Sequence, residues 1–174
     1  REAQIELSLE RVRARTMAMH KSEELVDTSV ILFQELRALG VKAIRTGVAI
    51  IDDEKEIMEL WSSQLIEQKQ NKVLGSVPMQ SHPFFKGLLK AWRKKDHDFS
   101  FEFTGEKVKE FYEMMSSLIS YPAQDSYNPR EVFSPFFFPE GSLTVVSHEA
   151  LSGEERNIMR RFAKVFGLLY RRFL

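Results

Sequence analysis

The chain has 174 residues, is 43% hydrophobic and balances 25 Lys+Arg against 25 Asp+Glu, so no net field draws it to nucleic acid or to an anionic membrane surface. Its length suits one well-developed core rather than two. With no cysteine, disulfides, thiolate metal sites, thiol nucleophiles and thioether-linked cofactors are excluded together, which fits a reducing, cytoplasmic setting. No apolar run approaches the roughly 18 to 20 residues of a membrane span, and no signal-peptide pattern opens the chain, so it is expected to be soluble and to make no membrane contact. It begins Arg1-Glu2-Ala3 without a cap and stops at Phe173-Leu174 without a terminator, and both ends read as cut within helices of something longer.

Residues 2 to 20 lack Pro and Gly. Ile5, Leu9, Val12, Thr16 and Met19 step by four, three, four and three, a heptad seam with one polar break at Thr16. Leu25, Leu32, Leu36 and Leu39 form a second stripe that ends before Gly40; the sequence leaves open whether Ser22 caps a new helix or lies inside a continuous one. Val41 to Ile51 is β-branched and partly alternating, with Ile44, Thr46, Val48 and Ile50 on one face. A polar turn, Asp52-Asp53-Glu54-Lys55, leads to a partner strand from Ile57 to Ser62. Val73 to Gln80 is a weaker strand, and Gly75 and Pro78 suit it to a sheet edge.

Ser81-His82-Pro83 starts a helix with Pro83 at its first position and Phe84, Leu88, Leu89 and Trp92 as its apolar stripe. From Asp98 to Phe103 the pattern alternates strictly and predicts a half-buried strand, after which Thr104 caps a helix carrying Val108, Phe111, Tyr112, Met115, Leu118 and Ile119. A loop runs between Pro122 and Asn128-Pro129. Two strands follow, Val132 to Phe138 and Leu143 to His148, with Pro135 predicting an edge or a bulge in the first. Ser152-Gly-Glu-Glu155 has capping-box spacing and opens a final helix in which Ile158, Phe162, Val165 and Leu169 repeat the heptad seam. Sequential hairpins with covering helices place the chain in the α+β class.

In this order and in two of its segments the chain resembles the GAF domains of bacterial signalling proteins. Residues 10 to 25, Glu-Arg-Val-Arg-Ala-Arg-Thr-Met-Ala-Met-His-Lys-Ser-Glu-Glu-Leu, are similar to the helix that precedes such domains in sensor histidine kinases, and Leu151-Ser-Gly-Glu-Glu-Arg156 is similar to the usual exit. The resemblance implies a signalling helix over 1–21 and a sensory domain over 22–174. It also implies a six-stranded antiparallel sheet with the terminal helices on one face and two inner helices on the other. A homodimer would form through Ile5, Leu9, Val12, Met19, Ile158, Phe162, Val165 and Leu169, and an output domain on the same polypeptide would receive the signal. Some members bind a small molecule between sheet and inner helices; element placement puts that pocket near Trp61, Phe84, Phe85, Trp92, Phe101, Phe103, Phe111, Met114 and Met115. A PAS-like topology is the alternative fold, and it would lack the two helices that interrupt the strands after Gln80.

Two specialisations of the family are not expected here. Its cyclic-nucleotide-binding members share an Asn-Lys pair followed at a distance by Phe and then Asp-Glu; Asn71-Lys72 is present without the rest. Bilin attachment and methionine sulfoxide reduction need cysteine. Other chemistry is equally sparse. Ser147-His148-Glu149 echoes a kinase phosphoacceptor, but this His ends a strand instead of sitting on a long helix. His20, His82 and His97 lack ligand spacing, so no metal is expected. No Gly-rich loop follows a strand and no serine sits in a nucleophile elbow. The basic clusters Arg11, Arg13, Arg15 and Arg160, Arg161, Lys164, Arg171, Arg172 read as solvated helix faces. The leading expectation is a non-catalytic sensory relay in a two-component type of system, with no identifiable cofactor and an unknown small molecule as its one candidate ligand. A ligand-free dimerisation spacer and an enzyme of unrecognised type are the alternatives.

Overall fold

The structure, a computed structural model, describes residues 1–66, 69–119, 121, 124 and 126–174, and of residues 22, 63–66, 69–72, 74 and 173 the backbone only. Its elements are α1 (Glu2–Met17), a 3-10 turn (Ser22–Glu24), α2 (Leu25–Ala38), β1 (Ala43–Asp52), β2 (Ile57–Ile66), β3 (Lys69–Pro78), α3 (Pro83–Lys94), β4 (Phe101–Thr104), α4 (Glu106–Leu118), β5 (Arg130–Phe138), β6 (Gly141–Ser147) and α5 (Gly153–Phe173). The six strands form one sheet in the order β3-β2-β1-β6-β5-β4, and every neighbouring pair is antiparallel. Helices α1, α2 and α5 cover one face and α3 and α4 the other, the GAF-like α+β arrangement. The presence of α3 and α4 between strands separates it from the PAS-like alternative.

Two apolar cores lie back to back across the sheet, because a strand alternates its side chains between faces. In β1, Val48 joins the core of the terminal helices while Ala49 and Ile51 join that of the inner helices. An irregularity between Ala43 and Arg45 breaks this parity. Ile44 therefore packs with the inner core and not beside Thr46 and Val48.

The first two helices are separate. After Met17 the backbone N–H groups of His20 and Lys21 donate to Glu24 Oε2 (2.6 and 3.4 Å), which holds the turn into α2. The strand expected from Asp98 begins only at Phe101. Lys95 adopts a left-handed φ of 56° and Asp96 N–H still bonds Ala91 O, so the chain is leaving α3 over these residues and reaches β5 late. Thr104 is paired in the sheet with Arg130, and Gly105, at φ 58°, caps α4 in its place. The capping box at Ser152 and Glu155 forms as its spacing predicts. β3 is an edge strand, and Pro135 lies beyond Phe133, the last β5 residue that β4 pairs, where a missing donor is tolerated.

The heptad seams correct an expectation. Ile5, Leu9, Val12 and Met19 pack with Ile158 and Phe162 in the core that α2 and the sheet share, Val165 packs at its margin, and Leu169 is 8% exposed. These residues are occupied within one chain, so an interface between copies needs others. Among the described residues, Leu7 and Met17 on α1 and Leu168 on α5 are the exposed large apolar side chains of the terminal helices. Ion pairs fix how α1 and α5 lie. Arg1 meets Glu154 at 2.9 Å, and Arg161 meets Glu2 at 2.8 Å and also Glu6, so the two helices run parallel.

Candidate ligand cavity

Beneath α3 and α4 the middle of the sheet carries small side chains. The register aligns Ser62 of β2, Gly47 of β1 and Thr144 of β6 in one row, and Leu60, Ala49 and Ser142 in the next. Large residues there would meet the inner helices; small ones leave a cavity of about 50 Å³. Its roof is Phe84, Phe85 and Leu88 of α3 with Phe111 and Met115 of α4, and Arg45 closes one end beside Phe133 and Tyr121.

Arg45 is 4% exposed. Its guanidinium lies over the rings of Tyr112, Tyr121 and Phe133 at 5.1, 5.5 and 5.5 Å, attractive for a cation. Glu131, 2% exposed, accepts from Tyr112 Oη and from Asn128 Nδ2 (2.8 Å). Burial opposes the charge on Arg45, but Tyr112, Tyr121 and Glu131 outweigh it and hold the group above the ordinary arginine value. Burial also pushes the Tyr112 and Tyr121 hydroxyls up, so both stay neutral at pH 7. The cavity thus ends in a buried cation whose counter-charge, Glu131, lies outside the cavity wall.

His82 sits at the margin of the same core. Its Nδ1 accepts from Phe84 N–H at 3.0 Å and caps α3, with the Phe111 and Phe103 rings 5.4 and 5.6 Å away. Burial, and secondarily Lys107, hold its imidazole below the ordinary value of 6.5. The folded state therefore binds this proton less readily than the unfolded chain, and stability is full above 6.5 and falls as pH drops below it. Thermal melts near neutrality and at mildly acidic pH should show that loss. His82→Asn, which keeps a capping acceptor but does not titrate, should remove the part of it due to this residue.

Of the residues placed near a pocket by sequence, Phe84, Phe85, Phe111 and Met115 line the cavity. Phe103 packs on Phe111 at 4.6 Å and borders, with Phe101 and His82, a separate hollow between β4 and α4. Met114 is at the margin of the inner core. Trp92 lies further along α3, its Nε1 donating to Phe138 O at 3.2 Å. Trp61 is on the other face of the sheet, against the core of the terminal helices. Sequence reasoning missed Arg45, Gly47, Ser62 and Thr144. The signal was present in β1, where Arg45, Gly47 and Ala49 put a charge and two small residues on one face of an otherwise β-branched run.

The remaining candidates are dispersed. His148 is exposed just after β6, and Ser147 Oγ donates to Glu149 O at 2.6 Å. Among the described residues no group of three or more His, Asp or Glu could hold a metal, and no helix is long and apolar enough to cross a membrane. The Asn71 and Lys72 side chains lie outside the description, as does Pro122.

No family model matches the chain, and no curated protein does. A solved structure is similar to it, that of a methyl-accepting chemotaxis protein over its residues 122 to 287, with a TM-score of 0.51 and 10% sequence identity across 95% of this chain and 97% of the other. At that identity the likeness is one of fold.

Proposed function

We propose that the chain is a non-catalytic sensory or regulatory domain of a cytoplasmic signalling protein, a GAF-type module that passes the state of its cavity to an output domain on the same polypeptide, as in a sensor histidine kinase. One observation carries the reading: cavity and terminal helices back onto opposite faces of a single sheet, while α1 and α5 run parallel, so the chain comes in at one end of the domain and leaves at the other. The chemotaxis-protein fold supports a signalling role for such a layout.

The coupling runs through β1. Arg45 and Gly47 face the cavity, while the intervening Thr46 donates from Oγ1 to Ser29 O of α2 at 2.9 Å and Val48 packs with the terminal helices. α2 in turn holds α1 through Glu35, which accepts from Ser8 Oγ at 2.9 Å and from Arg11. A change in the cavity that shifts β1 by a fraction of an ångström alters both contacts and biases how the terminal helices sit. Because the seams are filled within one chain, the homodimer forms over the exposed faces that carry Leu7, Met17 and Leu168.

Light scattering tests the dimer. A two-chain mass at tens of micromolar, reduced to one by Leu7→Glu with Leu168→Glu, is expected; a strictly monomeric native chain would remove this form of the relay. The cavity is far below the roughly 300 to 1,000 Å³ of sites for drug-sized ligands, which favours the ligand-free spacer as a second reading. A spacer would leave α1 and α5 indifferent to changes in the cavity.

A further inference from the structure

β4 pairs with β5 only as far as Phe133, so from Ser134 to Phe138 that side of β5 has no strand beside it. α5 comes close there: a Cβ on Gly167 would stand 2.7 Å from Phe138 Cβ. The segment after α3 comes up to the same strand, with the His97 ring 6.0 Å from that of Phe137 and the His97 carbonyl accepting from Arg156 Nη2 at 2.6 Å. Between them lies an open hollow of about 340 Å³, floored by Phe136, Phe137, Phe138, Ala163 and Gly167. A volume of roughly 300 to 1,000 Å³ with a mostly apolar lining is that of a small-molecule site. The cavity beneath the inner helices does not reach it.

The charges around this hollow have one sign. Arg160, Lys164 and Arg171 share one face of α5 and line it, and among the described residues no Asp or Glu does. A neighbouring hollow of about 430 Å³, which shares His97, Phe137, Phe138 and Pro139, repeats the pattern with Arg93 and Lys95. In a chain of zero net charge this is a local excess. Most of these cations are already answered from outside the hollows: Arg160 by Asp98 at 3.3 Å, Arg171 by Glu140 at 3.6 Å, and Arg93 by Asp53 and Glu56 at 2.7 and 2.9 Å. The Lys164 side chain makes no hydrogen bond or ion pair among the described residues. It is the one uncompensated Lys or Arg of the first hollow, and it stands above an apolar floor.

We propose that this hollow binds an organic monocarboxylate with an apolar body, its carboxylate beside Lys164 and its body against Phe137, Phe138 and the Ala163 to Gly167 stretch of α5. A neutral molecule would leave Lys164 unanswered, and a dianion would bring a second charge that no free cation of this hollow meets. An exposed ion pair contributes little, so the apolar body supplies most of the affinity and the ammonium selects the charge. The site is separate from the cavity of the sensory reading, and neither stands or falls with the other.

Phenylacetate and phenylacetamide have the same number of heavy atoms and nearly the same shape, and differ in charge. Their affinities for the native chain, read by ligand-observed saturation-transfer NMR, are expected to differ by about two- to fivefold in favour of phenylacetate, the worth of one exposed ion pair. Leu168 borders the hollow and also belongs to the proposed dimer face, so the titrations use low-micromolar chain, below the concentrations at which the dimer is expected. Lys164→Gln should bring the two affinities together, and Lys164→Arg should keep the preference. Arg172→Gln, which removes an exposed cation of the same helix that does not line the hollow, should leave the preference unchanged. Acetate, a carboxylate without the body, should give no saturable signal. Absence of phenylacetate binding overturns the proposal, whether the chain is then monomeric or a doubled mass shows a second copy covering the hollow. So does phenylacetamide or acetate binding as tightly as phenylacetate, and so does a preference that survives Lys164→Gln or is lost equally in Arg172→Gln.

Discussion

Replacing Arg45 with Leu is expected to cost about 3–5 kcal/mol of folding stability, the usual result of removing one partner from a buried charge system. The remaining Glu131 is 2% exposed. It would keep the Tyr112 and Asn128 donors but lose the cation that balances it. The rings of Tyr112, Tyr121 and Phe133 would lose their cation as well. Denaturant unfolding followed by circular dichroism reads this directly. Combining Arg45→Met with Glu131→Leu removes both charges at similar volume, and most of the lost stability should return. If the double variant is as unstable as the single one, shape and hydrogen bonding at this end of the cavity outweigh charge balance.

The second large effect is expected from Gly141→Ala. Gly141 opens β6 opposite Ile50 of β1, and a Cβ there would stand 1.8 Å from Ala49 O and 2.8 Å from Ala49 C. The obstacle is the backbone of a central strand, which cannot turn aside as a side chain can. The loss should reach or exceed the top of the range of about 1–3 kcal/mol seen for overpacked cores. Gly47→Ala, two residues before Ala49 on the same strand, makes only ordinary contacts and should be neutral or stabilising by about 0.4–1 kcal/mol through the unfolded chain. The same substitution is thus expected to change sign over a few residues of one sheet. Parallel denaturation curves for the two variants check it, and equal destabilisation would mean that the strand spacing at Gly141 relaxes.

Much of the fold was legible because local rules agreed with one another. Ser152-Gly-Glu-Glu155 formed its capping box, Pro83 took the first position of α3, and Pro78 lies in an edge strand. Short-range patterning failed where a distant partner decided the outcome. Asp98 to Ser100 alternate like a strand, but β5 pairs only with residues from Phe101 onward. A heptad seam reports burial without saying against what, and here the covering surface is the chain's own sheet. The site was harder to read than the fold. Large side chains attract notice, and four of those named for the pocket, Phe84, Phe85, Phe111 and Met115, form part of its roof, whereas the cavity exists because of what is small beneath them. Gly47, Ala49, Ser62 and Thr144 become one floor only through cross-strand register. Trp61 fell on the opposite face for the same reason: strand parity, set from β1, turns it toward the terminal helices.

The central claim is that the two faces of the sheet are coupled. Hydrogen exchange of the native chain against Gly47→Ala tests this without any ligand, since the added methyl fills the cavity floor and touches neither α1 nor α5. A relay predicts several-fold changes in protection along α1 and α5 in addition to those in β1 and the inner helices. Changes confined to β1, β2, α3 and α4, with the terminal helices unaltered, would contradict it.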